Sequence, residues 1–244
     1  MINSLLFFPE KEIMEHPADY GLRAEDVYPV TEDGVKLHGW YFQAMQAKGA
    51  LLFLHGNAGN ISGRVHKAKG WVERGVSVLL LDYRGYGESG GEIQHGDDLV
   101  RDAQAGLDWL INQKFFSVQN IILYGESLGS HPVTRLAVDH KAQGLILEAP
   151  FTAFSDLAAI HYPALPKFMV AALLKDFRFD NLDPIKKIQT PLFIMHGTAD
   201  ATCPYEMGQT LFSVPDAGHN NLAEVAAENY WNTPQEFFQD QGCL

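Results

Sequence analysis

Five short apolar runs, each closed by a glycine or a turn, constrain this chain more than any other feature. They are "ALLFLHG" (Ala50–Gly56), "VSVLLLDY" (Val76–Tyr83), "NIILYG" (Asn120–Gly125), "GLILEAP" (Gly144–Pro150) and "PLFIMHG" (Pro191–Gly197). Runs with no polar alternation are buried on both faces, which a parallel sheet covered by helices requires. Helical patterns lie between them. "GRVHKAKGWVERG" sets Val65, Ala68 and Val72 on one stripe and stops at Gly75; "DDLVRDAQAGLDWLINQ" sets Val100, Ala103, Leu107 and Leu110 on another, behind an aspartate cap. Strand and helix in alternation predict a doubly wound α/β fold with a mostly parallel sheet. Ahead of it, "DVYPVT" and "KLHGWYFQ" read as an antiparallel hairpin turning at Asp33-Gly34. Near the end, "NTPQEFF" reads as a helix start with Thr233 as N-cap, Pro234 at the first position and Glu236 behind.

A chain of 244 residues, 46% hydrophobic and 20% charged, is expected to form one domain over residues 1–244. Its formal net charge is -12, and its longest basic cluster is Lys186-Lys187, so attraction to phosphate backbones or anionic lipid is not expected. That excludes nucleic acid as a partner. Cys203 and Cys243 alone make neither a disulfide framework nor a zinc site, which fits a reducing, cytoplasmic setting. "MINSLLFFPEKEIMEHP" has no basic region and no small-residue cleavage site, so it reads as neither signal peptide nor membrane span. The longest apolar run, Phe168 to Leu174, is also too short to cross a bilayer.

The string YGES occurs twice, each time inside a G-x-S-x-G pattern, at Gly87–Gly91 around Ser89 and at Gly125–Gly129 around Ser127. A nucleophile elbow needs a strand ending just before the serine and a helix starting just after it. Ser127 has both: "NIILY" precedes it, and "LGSHPVTRLAVDH" follows, with Pro132 early enough to be tolerated. Ser89 has neither, and "DYRGYGESGG" reads as a glycine-rich loop pinned by Asp82 and Arg84. A serine also needs a base, and the base an orienting carboxylate, in the chain order Ser, Asp or Glu, His. "PLFIMHGTAD" delivers Asp200 into the loop beyond a buried strand, and "SVPDAGHNN" places His219 in a later loop. The expected triad is Ser127, Asp200 and His219.

"FLHGNAGN", "DYRGYGES", "YGESLGS", "HGTAD" and "AGHNN", in this order, resemble the α/β-hydrolase superfamily, and specifically its bud-emergence-like and depalmitoylase-like abhydrolase-domain branch. The likeness runs from about Leu6 to His219 and implies an α/β-hydrolase fold with the nucleophile on Ser127, the acid on Asp200 and the base on His219. A donor for the tetrahedral oxyanion is expected at the backbone N–H of Leu128, directly after the nucleophile. By the resemblance the other is the N–H of Asn57, with Ala58 as its neighbour in the pocket. Gly56 and Gly59 allow close backbone approach there. The resemblance gives His55 a structural role. His131, one helical turn beyond Ser127, reads as a helix-surface or pocket-wall residue, and His196 as strand-end packing. No metal and no cofactor are expected.

Residues 151–190 are the expected cap, whose Phe154, Tyr162, Leu165, Phe168 and Met169 are candidates to line an acyl pocket or simply to pack a lid helix. So modest a cap suits small or medium acyl groups. Two departures from the family stand out. Relatives often carry an apolar anchor ahead of the "LLFFP" element, so the resemblance permits membrane association. Asp200 and His219 are also closer in sequence than in relatives, and a cramped crossover could carry the base out of reach. Three functions therefore stay open. The first is a serine carboxylesterase or thioesterase acting on a small-molecule acyl ester or thioester through an acyl-enzyme. The second is a protein depalmitoylase or peptidase on the same fold, and the third a non-catalytic scaffold or ligand-binding protein.

Overall fold

A computed structural model of the chain describes residues 6–208, the backbone of 212–214, and residues 233, 234, 236 and 237. In chain order the strands are β1 (Phe8–Pro9), β2 (Glu25–Val27), β3 (Gly39–Phe42), β4 (Gly49–Leu54), β5 (Ala58–Gly59), β6 (Val76–Leu81), β7 (Ile121–Glu126), β8 (Gly144–Glu148), β9 (Leu192–Gly197) and β10 (Phe212–Val214). The helices are α1 (Val65–Glu73), α2 (Gly96–Lys114), α3 (Ser130–Asp139), α4 (Phe154–His161), α5 (Lys167–Leu173) and α6 (Leu182–Ile185).

The main sheet runs in the order β10-β9-β8-β7-β4-β6-β3-β2. From β10 to β6 it is parallel, and β3 and β2 join antiparallel as the expected hairpin, with Gly34 at φ +83° in its turn. Alternate residues of the apolar runs enter opposite cores. Leu52, Leu54, Leu79, Leu81 and Leu123 meet α2 and α3 on one face, and Leu51, Phe53, Val78, Leu80 and Ile122 meet α1 on the other. Both faces are therefore covered, which is why these runs lack the polar alternation of a half-exposed strand.

The helices form where periodicity places them, with shifts in detail. The buried stripe of α1 runs through Trp71 rather than Val72, and that of α2 through Leu99 rather than Val100, because each stripe turns further toward the sheet than the sequence spacing suggested. The cap of α2 is not an aspartate: His95 holds the N-cap position, and Asp98 reaches back from the first turn to accept from the N–H groups of Gln94 (2.7 Å) and His95 (2.9 Å). Thr233 is itself helical, together with Pro234, Glu236 and Phe237, so it does not stand outside as a cap. Phe237 lays its ring 5.3 Å from that of Phe193, against the α1 core.

Successive strands go to opposite sides of β4: β6 pairs along one edge and β7 along the other. Where strand order reverses in this way, the loops beyond the carboxyl ends of the two neighbouring strands splay apart and leave a crevice. The loops at this crevice are "HGNAGN" after β4 and "SLGS" after β7.

Candidate active site

Ser127 follows the last residue of β7 without a spacer, opens a single 3₁₀ turn (Ser127–Gly129) and leads into α3. Its φ is +48°, in the left-handed region that a non-glycine residue rarely occupies. The flanking glycines show why the turn needs its motif. A Cβ on Gly125 would stand 2.4 Å from Gly129 O and 2.5 Å from Val133 Cγ2, and one on Gly129 would stand 2.1 Å from Leu54 O. Only glycine lets α3 start this close to the sheet. Ser127 is thus held in a strained backbone at the mouth of the crevice, 8% exposed.

Ser89 has a different task. Its Oγ donates to Asp82 O (2.9 Å) and accepts from the N–H of His38 (2.8 Å), so the hydroxyl pins the loop after β6. Asp82 Oδ1 accepts from the N–H of Ile61 at 2.9 Å, and Arg84 binds Asp33 and Asp102. A side chain on Gly87 would strike Asp82 Oδ2 at 2.1 Å, so the first glycine of this second motif serves the loop.

The loop after β4 packs directly on the elbow: a Cβ on Gly56 would lie 3.5 Å from Ser127 Cβ. Its conformation is set from outside by a strap formed by the N-terminal segment. β1 pairs in parallel with β5, matching Phe8 with Ala58 and Pro9 with Gly59. The Asn57 side chain donates to Leu6 O (2.7 Å) and accepts from the N–H of Phe8 (3.4 Å), while Tyr86 Oη lies within reach of Asn57 O (2.8 Å) and Oδ1 (2.9 Å). Asn60 donates to Glu10 O (3.0 Å) and Glu12 O (2.7 Å). Residues 6–9 are therefore part of the frame of that loop, a role that their sequence alone did not reveal.

Asp200 lies three residues past β9 and is buried. One carboxylate oxygen accepts from the N–H groups of Thr202 and Cys203, each at 2.8 Å, and the other lies 3.3 Å from His196 Nε2. These bonds fix the carboxylate at the sheet's carboxyl edge. β10 adds in parallel to β9, with Val214 level with Gly197, so the chain returns to the same edge shortly before His219. His219 itself lies outside the described residues. The crossover to β10 includes only a 3₁₀ turn (Tyr205–Met207) among its described residues, and the strand on which the sequence reading turned is present.

His55, His196 and His131 are each engaged elsewhere. The ring nitrogens of His55 face Gly56 O (2.7 Å) and Asp82 Oδ1 (3.1 Å), which leaves neither for Ser127. His196 is buried at the strand end, with Nε2 2.7 Å from Cys203 O. His131 is not on the helix surface: it is 1% exposed and forms a wall of a polar cleft of about 330 Å³ with Arg135, Arg178 and Asp183. Burial pushes its pKa down to about 4.

Sequence reading missed the ionic group behind the elbow. Glu126 accepts from Arg64 (2.9 Å) and Lys67 (2.7 Å), and Lys67 also binds Glu148 at 2.9 Å. Burial alone would raise the Glu126 carboxyl, but Arg64 and Lys67 outweigh it and hold it well below the usual carboxylate range. The available signal was a glutamate at the end of each of two buried strands, which demands a buried cation.

Within residues 151–190, Phe154 packs on Phe151 and Phe179, with ring centroids at 5.0 and 4.4 Å, and Phe7 of the strap reaches Phe177 at 5.5 Å. Tyr162, Leu165, Phe168 and Met169 are exposed, Phe168 at 74%. A cavity of about 40 Å³ under the cap root, lined by Leu147, Phe151, Leu182 and Ile194 among others, has room for little more than a water. Among the described residues no group of three His, Cys, Asp or Glu side chains is placed to hold a metal ion, and no helix is long and apolar enough to cross a membrane.

A family model described as serine aminopeptidase, S33, matches residues 45–185, more than half of the chain. The chain belongs to this family, within the α/β-hydrolase superfamily. Among relatives, this α/β-hydrolase is 33% identical over 229 residues to the uncharacterized protein Rv2307c of Mycobacterium tuberculosis, which covers 89% of this chain and 80% of that one. It is 30% identical over 251 residues to the α/β hydrolase domain-containing protein WAV2 of Arabidopsis thaliana, covering 91% of this chain and 81% of that one. Among solved structures, the esterase Pf2001 of Pyrococcus furiosus superposes with a TM-score of 0.79 at 24% identity, over 96% of this chain and 97% of its own. At that identity the likeness establishes the fold, and the range matched by the family model contains the strand-turn-helix that holds Ser127.

Proposed function

We propose that this α/β-hydrolase is a serine hydrolase that cleaves carboxylic ester or thioester bonds of small or medium acyl substrates. Ser127 attacks the acyl carbonyl, His219 takes and returns the proton, Asp200 orients the imidazole, and water releases the acyl-enzyme. The N–H groups of Leu128 and Asn57 receive the oxyanion, beside Ala58. The observation that carries this reading is the left-handed Ser127 between two glycines that tolerate no side chain. The exposed cap residues Tyr162, Leu165, Phe168 and Met169, with Phe154 at their root, are the surface against which an acyl group would lie.

Fluorophosphonate labelling with peptide mapping tests the nucleophile. One adduct on the Ser127 peptide, lost in Ser127→Ala and kept in Ser89→Ala, is expected; no adduct in any form brings the binding-protein reading forward. The aminopeptidase description of the matching family favours amide cleavage as a second reading. Turnover of an oxyester, a thioester and an aminoacyl amide of the same acyl size decides between them. A nitrophenyl ester series should peak at short or medium chains, and a clear optimum at long chains would refute the size assignment.

A further inference from the structure

We propose that Arg64 is a positioning residue that locks together the two loops supplying the oxyanion donors, an inference that rests on the serine-hydrolase reading above. Arg64 stands at the start of α1, with its side chain 16% exposed. Its two terminal nitrogens go to different elements, one to the loop after β4 and the other to the last residue of β7, directly before the turn that carries Ser127. Nη1 donates to Ala58 O (3.0 Å), in the loop after β4, and Nη2 donates to Glu126 Oε1 (2.9 Å), the residue whose carbonyl leads into Ser127. The guanidinium is planar and its donors sit in a rigid fork, so the two bonds set the distance between the loops.

The strut is anchored from below. Glu126 is held by Lys67 at 2.7 Å, and Lys67 by Glu148 at the end of β8, so the far end of the fork is tied to the sheet. The glycines of "HGNAGN" make room for it. A Cβ on Gly59 would come within 3.3 Å of Arg64 Nη1, and one on Gly56 within 3.5 Å of Nη2 and 3.0 Å of Glu126 Oε1. The open space of that motif thus admits the guanidinium. Oxyanion donors help only when aimed at the place where charge develops, and small misplacements are costly in rate. A residue fixing the gap between the donor loops therefore acts on kcat rather than on ground-state binding.

The test is kcat and KM for a nitrophenyl ester in wild type, Arg64→Ala and Arg64→Lys, each normalised to the number of Ser127 sites that fluorophosphonate labels at completion. That normalisation removes any loss of folded protein. Arg64→Ala should lower kcat per labelled site by about 10- to 100-fold with KM within about twofold. Arg64→Lys keeps the charge but not the fork and should fall nearer to Arg64→Ala than to wild type. If Arg64→Ala does not fold, Arg64→Lys reads the same quantity on its own, since it keeps the buried charge and removes only the fork. Unchanged kcat per labelled site in Arg64→Ala or Arg64→Lys, or an effect confined to KM, overturns the proposal. A wild type that takes no label and turns over no ester overturns the serine-hydrolase reading instead.

Discussion

A serine held at φ +48° carries strain that glycine would not. Left-handed backbone at a non-glycine residue costs about 1 to 3 kcal/mol, offset partly by the greater freedom that glycine has when unfolded. Ser127→Gly should therefore be more stable than Ser127→Ala by about 1 kcal/mol, or about 2–4 °C in a domain of this size, while both lose about a thousandfold or more in turnover. Paired melting curves and rates check this; equal melting temperatures would mean that the backbone relaxes when the hydroxyl is gone. Ser89→Ala should do the reverse. It leaves the N–H of His38 without its acceptor in a buried place, a loss of about 1–3 kcal/mol, and keeps turnover per labelled site. The same four letters, YGES, thus hold a left-handed serine at a strand-to-helix turn in one copy and a hydrogen-bonded serine in a loop in the other. What separates them in the sequence is the strand before Ser127 and the helix after it.

At the scale of elements, α3 joins the turn at Ser127 to the segment around Phe179–Asn181. Its His131 lies buried against Phe179, the ring centroids 5.0 Å apart, with Nδ1 3.3 Å from Asp180 O. The folded imidazole stays neutral down to about pH 4 because burial disfavours its charge. The unfolded chain takes up that proton near the ordinary histidine value of about 6.5. Stability from this group is thus full above about pH 6.5 and is lost as the pH falls toward 4, since only the unfolded form binds the proton. His131→Phe keeps the edge-to-face packing and removes the titration. Between pH 7.5 and 5, its melting temperature should drop by less than that of wild type, and parallel drops would show that the ring is solvated at acid pH. The strap shows the limit of pattern reading at this scale. "LLFFP" has no period that announces a strand, because a two-residue pairing takes its stability from Asn57 and Asn60, some 50 positions away.

For the whole molecule, the legible part was what repeats. The apolar runs named five of the parallel strands, and glycine spacing named the elbow, because burial on two faces and close helix approach each leave a residue-type signature. Of the buried ionic group, the two glutamates closing apolar runs were the only signal, and their partner was not legible. A lysine on a helix looks solvated until the topology brings α1 over the ends of β7 and β8. The exposed surface offers a last test. A net charge of -12 makes the field around the molecule repulsive to anions over long distances in dilute buffer. The Debye length shrinks from about 30 Å at about 10 mM salt to about 8 Å at about 150 mM, so that repulsion is largely screened at the higher value. For an anionic acyl thioester, kcat/KM should therefore rise severalfold with salt, while a neutral ester of the same acyl group stays within about twofold. Measured side by side, the two substrates separate screening from any direct effect of salt on the enzyme. A fall with salt for the anionic substrate alone would show that a local positive field overrides the net charge at the approach to Ser127.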